Sequence, residues 1–462
     1  MTIGYVSTRN PDPAAEPLGF GDVLLAGLAP DGGLYCPTEI PELPTITADT
    51  SYVDAAVAIM APFTAGTFSA DELAEMATEA YRSFRHDDVC PVAELGGHQY
   101  LLDLTKGPTL AFKDVALQMV GRMLETELDR RGKRVTVIGA TSGDTGSAAI
   151  EALANCSNID VLIMHPLDRV SEIQRRQMTT VTAPNIHNVA IEGNFDDCQD
   201  LVKAAFGSQG LRNDVELAAV NSINWARVMC QIVYYVTSAR AVSPDGAPVS
   251  YSVPTGNFGN ILSGWYAKRM GLAVDRLVVA SNRNDVLTRF FETGSLEIHG
   301  VSPSLSPSMD IQVSSNFERL LWESSGRDGA AVAELLSELR AAGRVDVPEG
   351  WHRSILAEFD ATRLDDDGTL QQIRTTYEST EILVDPHTAI GLDAARNADP
   401  DTPMITLATA DPAKFPDAVE KAVGLRPQLP AHMSEILTKT ERFEPMANDL
   451  DQVSDKIRSI SL

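Results

Sequence analysis

The feature that most constrains this 462-residue chain is a recurring order: a short β-prone run, a glycine-containing turn, then a longer helical pattern. VTVIGA at 135–140 precedes TSGDTGSAAIEALA, IDVLIMH fills 159–165, and HNVAIEG at 187–193 precedes FDDCQDLVKAAFG. A second set begins at YSVPTGNFGNILSGWYAKRMG, continues through RLVVASNRNDVLTRFFETG and includes MITLAT at 404–409. Apolar strands of this kind need both faces covered, and crossover helices cover them, so the expected fold class is α/β around a parallel sheet. VSPSLSPSMD at 301–310 is expected to form a structured loop, because its prolines oppose an uninterrupted helix. Residues 1–97 read differently. Pro37, Pro41 and Pro44 punctuate the early segment, then SYVDAAVAIMAPF and SADELAEMATEAYRSF carry helical periodicity, which predicts a mainly helical N-terminal cap region.

Composition excludes several classes. With 64 Asp/Glu against 37 Lys/Arg the net charge is −27, which repels phosphate backbones and argues against nucleic-acid partners. A hydrophobic fraction of 44% is ample for packed cores in roughly two or three domains. The five cysteines, Cys36, Cys90, Cys156, Cys198 and Cys230, lie far apart with no CxxC pair, so they read as reduced structural thiols of a cytoplasmic protein. His86, His98, His165, His187 and His387 form no HExxH array, and no metal is expected. No apolar run approaches the roughly 20 residues that cross a bilayer, and MTIGYVSTRNPDPAAEP is too polar for a signal peptide, so no membrane association is expected.

Four segments carry chemistry. Lys113, in GPTLAFKDVALQMVGRML, follows a Gly107-Pro108 turn and starts a helical pattern; an amine held there can form an imine with an aldehyde cofactor and then act as a base. Its bland alternative is a lysine stem covering an apolar edge while the amine reaches water. SGDTGSAA at 142–149 leads into a helix whose first amides can face an anion, although tight strand-to-helix packing, with Asp144 as a cap, fits equally. The loop Thr255-Gly256-Asn257-Phe258-Gly259-Asn260 has the same placement and suits a phosphate cup, yet it has neither a Walker A lysine nor the GxGxxG spacing. NSINWAR places Asn221, Ser222 and Arg227 where they can hold an anionic substrate, or where an Asn-Ser cap precedes a surface arginine.

A reactive lysine with two anion loops resembles the pyridoxal-phosphate enzymes of the tryptophan-synthase-β type, and within them the threonine synthase family. The resemblance extends through STR at 7–9, GLAPDGGLY at 27–35, GPTLAFKD at 107–114, ATSGDTGSAA at 140–149, NSINWAR at 221–227 and PTGNFGN at 254–260. It continues through LSPSMDIQVSSNFERLL at 305–321, DPHTAIG at 385–391 and LATADPAKFP at 407–416. It implies a two-domain fold type II enzyme with the N-terminal region added: cap 1–97, large cofactor domain 98–134 and 249–462 with the C-terminal region, and a smaller α/β domain 135–248. It implies pyridoxal 5'-phosphate as cofactor, linked to Lys113, with Gly256, Asn257, Phe258, Gly259 and Asn260 on its phosphate, Asp144 near its phenolic oxygen and Thr409 beside its pyridine nitrogen. Ser142, Thr145, Asn221, Ser222 and Arg227 would hold the substrate, O-phospho-L-homoserine, which the family converts with water to L-threonine and phosphate. Lys106 and Asp411 stand where this branch commonly has histidines, and Asn10 where it commonly has glycine. A phospholyase, a serine or threonine dehydratase, and a non-enzymatic scaffold are the competing readings.

Overall fold

In a computed structural model of the chain, residues 2–12, 14–141, 143–219, 222–397 and 399–461 are described. Two compact units divide it: Met1–Lys106 with Ser222–Pro427, and Gly107–Asn221 with Gln428–Leu462.

The first unit contains, among the described residues, a six-stranded sheet in the order Phe359–Arg363, Val274–Ser281, Val249–Pro254, Met404–Ala408, Gln99–Asp103, Val92–Gly96. Every neighbouring pair is parallel except the last, an antiparallel hairpin at one edge. The strand predicted from MITLAT lies inside this sheet as Met404–Ala408, buried along its length as a doubly covered strand requires. Helix Pro386–Ala394 covers one face, placing Ile390 and Ala394 with Val278, Ala280, Met309 and Met404. The 301–310 segment is a loop ending in a short 3-10 turn, Pro307–Met309, as its prolines require. The N-terminal residues join this unit instead of standing alone. Helix Tyr52–Thr64 brings the Phe63 ring 5.7 Å from Trp225, and helix Ala70–Tyr81 starts with a complete capping box, Ser69 with Glu72.

The second unit is a fully parallel five-stranded sheet among the described residues, ordered Glu444–Met446, Ile186–Ile191, Ile159–Pro166, Val135–Ala140, Leu217–Ala219. Its three long strands are those the sequence pattern predicts. Three allocations differ from the expected boundaries. Helix Lys113–Arg131, expected with the large cofactor domain, belongs here because Leu117 packs on Ala148, Ala149 and Ala152, and Gly121 leaves just enough room for the Ala152 carbonyl. The chain end, also expected in the large domain, returns here: Met446, Val453 and Ile457 complete the cluster formed by Ile138, Leu162, Val189 and Leu201. Correspondingly, Ser222–Val242, expected in the smaller domain, belongs to the first unit.

Candidate active site

In the five-stranded unit the residues before Lys113 form a knot around Asp114. The Thr109 backbone N–H and hydroxyl both donate to the Asp114 carboxylate, at 2.8 and 2.6 Å, and Leu110 takes the left-handed conformation at φ 63 that the fold-back needs. Gly107 is obligatory, since a Cβ there would fall 2.4 Å from that of Asp114. This turn delivers Lys113 as the first residue of its helix, with a side chain only 10% exposed. The amine reaches Asp144 Oδ2 at 3.3 Å, not water, which removes the edge-covering reading of this lysine.

Asp144 is the first residue of helix Asp144–Leu153, and Gly143 occupies the cap position. Its carboxylate is shared between two side chains, Lys113 on Oδ2 and Gln174 Nε2 on Oδ1 at 2.8 Å. Gly143 has φ 145, and a Cβ there would lie 2.5 Å from Gln174 Cδ, so this glycine serves both the turn and the close approach of Gln174. Thr141 Oγ1 accepts the N–H groups of Gly143 and Gly146, at 2.9 Å each, closing the turn. Half-buried Thr145 follows Asp144, and Ser142 lies outside the described residues.

In the six-stranded unit the second glycine loop joins strand Val249–Pro254 to helix Gly259–Met270. Phe258 takes φ 63, its ring fixed 5.1 Å from Phe317 and 5.7 Å from Phe359. At Gly256 a Cβ would meet the Ser308 carbonyl oxygen at 2.7 Å. A shell of neutral side chains sets the loop's carbonyls: Ser314 donates to Gly256 O at 2.7 Å, and Asn316 donates to Asn257 O through both its backbone N–H, at 3.1 Å, and its side chain, at 2.9 Å. Asn316 Nδ2 also reaches Ser222 O at 3.0 Å, and the Ser222 and Ser315 hydroxyls stand 3.5 Å apart. With the carbonyls held from behind, a helix start of this kind leaves its N–H groups for an anion. Asn260 accepts the hydroxyls of Tyr234 and Tyr235 on Oδ1, at 2.6 and 2.9 Å, while its buried Nδ2 has no hydrogen-bond partner among the described residues.

NSINWAR mixes its two readings. Asn224 does cap helix Trp225–Val242, donating its amide to Leu24 O and accepting from Ala226 N–H, but Arg227 is interior, 4% exposed, and not on the surface. Burial pulls its guanidinium down to about 10, which still leaves it charged at neutral pH. Asn221 lies outside the described residues. Thr409 follows strand Met404–Ala408, buried, with its N–H on Thr388 Oγ1 at 3.2 Å. Of the three departures, Lys106 pairs with Asp103 at 2.7 Å, Asn10 lies near the surface, and burial raises the Asp411 carboxyl above the usual carboxylate range, opposed in part by the Ala413 N–H, Lys106 and Lys414.

Thus Lys113, Asp144 and Thr145 belong to one unit, and Ser222, Arg227, Gly256–Asn260 and Thr409 to the other, where Arg227 faces Tyr234, the donor to Asn260. The residues that sequence reasoning passed over are those that hold these in place: Gln174, Ser314, Asn316, Asp385, His387 and Thr388. DPHTAIG and SSNFERLL marked all but Gln174, without indicating their contacts. No local pattern marks Gln174, which meets Asp144 only through the fold. Among the described residues no group of three or more His, Cys, Asp or Glu can hold a metal, and no helix is long and apolar enough to cross a membrane.

Comparison with known families matches residues 4–81 to "Threonine synthase N terminus", 89–344 to "Pyridoxal-phosphate dependent enzyme" and 388–457 to "Threonine synthase, C-terminal". The chain is 50% identical over 457 residues to a threonine synthase of Pseudomonas aeruginosa, covering 97% of each. Its fold is similar to a crystal structure of pyridoxal-phosphate-bound threonine synthase from Brucella melitensis, with TM-score 0.95, 48% identity and all of both chains covered. The yeast threonine synthase structure gives TM-score 0.92 at 37% identity, covering 99% of this chain and 98% of that one.

Proposed function

This chain belongs to the threonine synthase family of pyridoxal-phosphate-dependent enzymes, and from that premise we propose that it converts O-phospho-L-homoserine and water to L-threonine and phosphate. The observation that carries the reading is the buried Lys113 amine, held 3.3 Å from Asp144 at the start of a helix. Pyridoxal 5'-phosphate is its cofactor, and the residues fit it. Gly256 lets the loop lie against the Ser308 carbonyl where a Cβ would not fit, the adjoining helix start is suited to a phosphate, and Asn260 Nδ2 has a donor to spare among the described residues.

When bound, the cofactor supplies an extended π-system that accepts electrons from the substrate's reacting carbons. The chain's residues do the rest. Lys113 would hold the cofactor and move protons at Cα and Cβ, and Asp144, fixed by Gln174, would orient the amine and take the place near the phenolic oxygen. Gly256, Asn257, Phe258, Gly259 and Asn260 bind the cofactor phosphate. Ser142, Thr145, Asn221, Ser222 and Arg227 hold the substrate's carboxylate and phosphate, and Arg227's charge at neutral pH suits that work. Phosphate leaves Cγ and water adds at Cβ. Thr409, a neutral hydroxyl beside the pyridine nitrogen, stabilises a protonated ring less than a carboxylate would. Cytoplasmic residence belongs to the same reading, supported by five buried free thiols.

The test is to supply cofactor-loaded protein with O-phospho-L-homoserine, L-serine or L-threonine and quantify threonine, phosphate, keto acid and ammonia. Equal threonine and phosphate from the first substrate alone is the expected result. Phosphate with keto acid and ammonia reassigns the protein as a phospholyase, and keto acid from serine or threonine reassigns it as a dehydratase.

A further inference from the structure

Asp385 lies in the six-stranded unit at the start of helix Pro386–Ala394, with no exposed surface, and its carboxylate collects four hydrogen bonds. Oδ2 accepts the His387 backbone N–H at 2.9 Å and the His387 Nδ1 at 2.6 Å; Oδ1 accepts the Thr388 backbone N–H at 3.1 Å and the Thr388 hydroxyl. Capping a helix needs the two backbone bonds. The two side-chain bonds go beyond that, and each leads onward.

With Nδ1–H committed to the carboxylate, His387 presents Nε2 as an acceptor, and the Ser308 N–H occupies it at 3.3 Å. An edge-on Phe415 ring 4.9 Å away fixes the imidazole plane. The carbonyl of the same Ser308 is the atom that abuts Gly256, 2.7 Å from where a Cβ would stand. In the other direction Thr388, having given its hydroxyl proton to Asp385, accepts the Thr409 N–H at 3.2 Å. One buried carboxylate therefore lies at the root of two chains. One ends behind the phosphate loop and the other on the residue beside the pyridine nitrogen.

We propose that Asp385 is a positioning residue that fixes the spacing between the two ends of the cofactor cradle, acting on the Gly256 end through His387 and Ser308 and on Thr409 through Thr388. The proposal rests on the assignment of 256–260 to the cofactor phosphate and of Thr409 to the pyridine nitrogen. Two chains with a common root should be separable by cutting each one. His387→Leu removes the acceptor for Ser308 together with the Nδ1 bond to Asp385, His387→Gln returns an acceptor of similar reach, and Thr388→Val keeps the side-chain shape while removing the hydroxyl.

The experiment compares holoenzymes by the 31P resonance of the bound cofactor phosphate, the absorption maximum of its ring, and its dissociation constant. His387→Leu is expected to move the 31P resonance and weaken cofactor binding about tenfold with the absorption band in place, and His387→Gln to restore both. Thr388→Val is expected to move the absorption maximum and leave the 31P resonance alone; Asp385→Asn is expected to move both. If every variant moves both signals together, or if unfolding temperature falls while neither signal moves, Asp385 is only a cap and the proposal fails. A wild-type holoenzyme without a protein-bound 31P signal would remove the cofactor assignment itself, and the proposal with it, before any variant is compared.

Discussion

The two units handle opposite charges with different materials. In the five-stranded unit the key contact is between ionised side chains, Lys113 on Asp144, which a third side chain, Gln174, holds in place. In the six-stranded unit the groups that touch the loop at 256–260 are neutral: Ser314 and Asn316 take its carbonyls and Ser308 backs its glycine, with the buried Arg319 one step behind, on Asn316 Oδ1. The contrast matches the jobs proposed for them. A group that must gain and lose a proton needs a counter-charge that can release it, whereas a group that binds a permanent anion needs only oriented N–H dipoles that never titrate.

The sharpest break of this contrast is Lys113→Ala. Threonine formation is expected to fall by about 10^3-fold or more in steady-state assays, with an unfolding temperature close to wild type. A loss under about tenfold would mean the charged side chain is not where the chemistry lies.

Next come two glycines that should fail differently. Gly256→Ala forces a Cβ against the Ser308 carbonyl and is expected to cost about 1–3 kcal/mol, read as weaker cofactor binding by titration of the apoprotein. Gly143→Ala meets a forbidden φ of 145 and displaces Gln174 from Asp144, so turnover is expected to drop more than cofactor binding does. Identical kinetic profiles for the two would dissolve the division of labour.

These pairs also show what the sequence could and could not reveal. The strands at 135–140 and 159–165, the loop TGNFGN and the lysine of LAFKD were legible because each is a local pattern: periodicity, a glycine turn, a helix start. The Lys113–Asp144 contact, 31 residues apart, was not, and Asp144 at a helix start looks like a cap until its two side-chain partners are seen. Arg227 reads as either an anion ligand or a surface residue, because nothing local shows that most of its helix is buried. The return of 428–462 to the five-stranded unit rests on Glu444–Met446, three residues including a proline, too short to carry a strand pattern, whose place is fixed by edge pairing with Ile186–Ile191.

Acid should separate the units more gently. In the five-stranded unit burial lowers the pKa of both His165 and His187, so the fold favours their neutral forms. Their contribution to stability is complete above the ordinary histidine pKa of about 6.5 and is lost as pH falls from there through the lowered values. Hydrogen exchange at mildly acid pH is expected to rise first in Ile159–Pro166 and Ile186–Ile191. In the six-stranded unit burial raises the Asp411 carboxyl, so its ionisation opposes folding at neutral pH and not below the ordinary carboxylate pKa of about 4. Asp411→Asn keeps the acceptor for the Ala413 N–H and is expected to stabilise at pH 7 by on the order of 1 kcal/mol, a gain that vanishes on acidification. A gain that grows with acid would reverse the sign of this argument.

The smallest effect is expected at the thiols, where the units should not differ. All five are buried, and burial pushes Cys36, Cys156 and Cys198 up to about 12, so maleimide or iodoacetamide labelling of the native protein should be negligible at every site until it unfolds.

The central claim is that one lysine, Lys113, carries the cofactor. Borohydride reduction of the cofactor-loaded wild-type protein, followed by peptide mapping, tests it most directly. The pyridoxyl group is expected on the peptide containing GPTLAFKD and on no other. Its appearance on Lys106, or on the buried Lys414, or its absence from every lysine, would contradict the account.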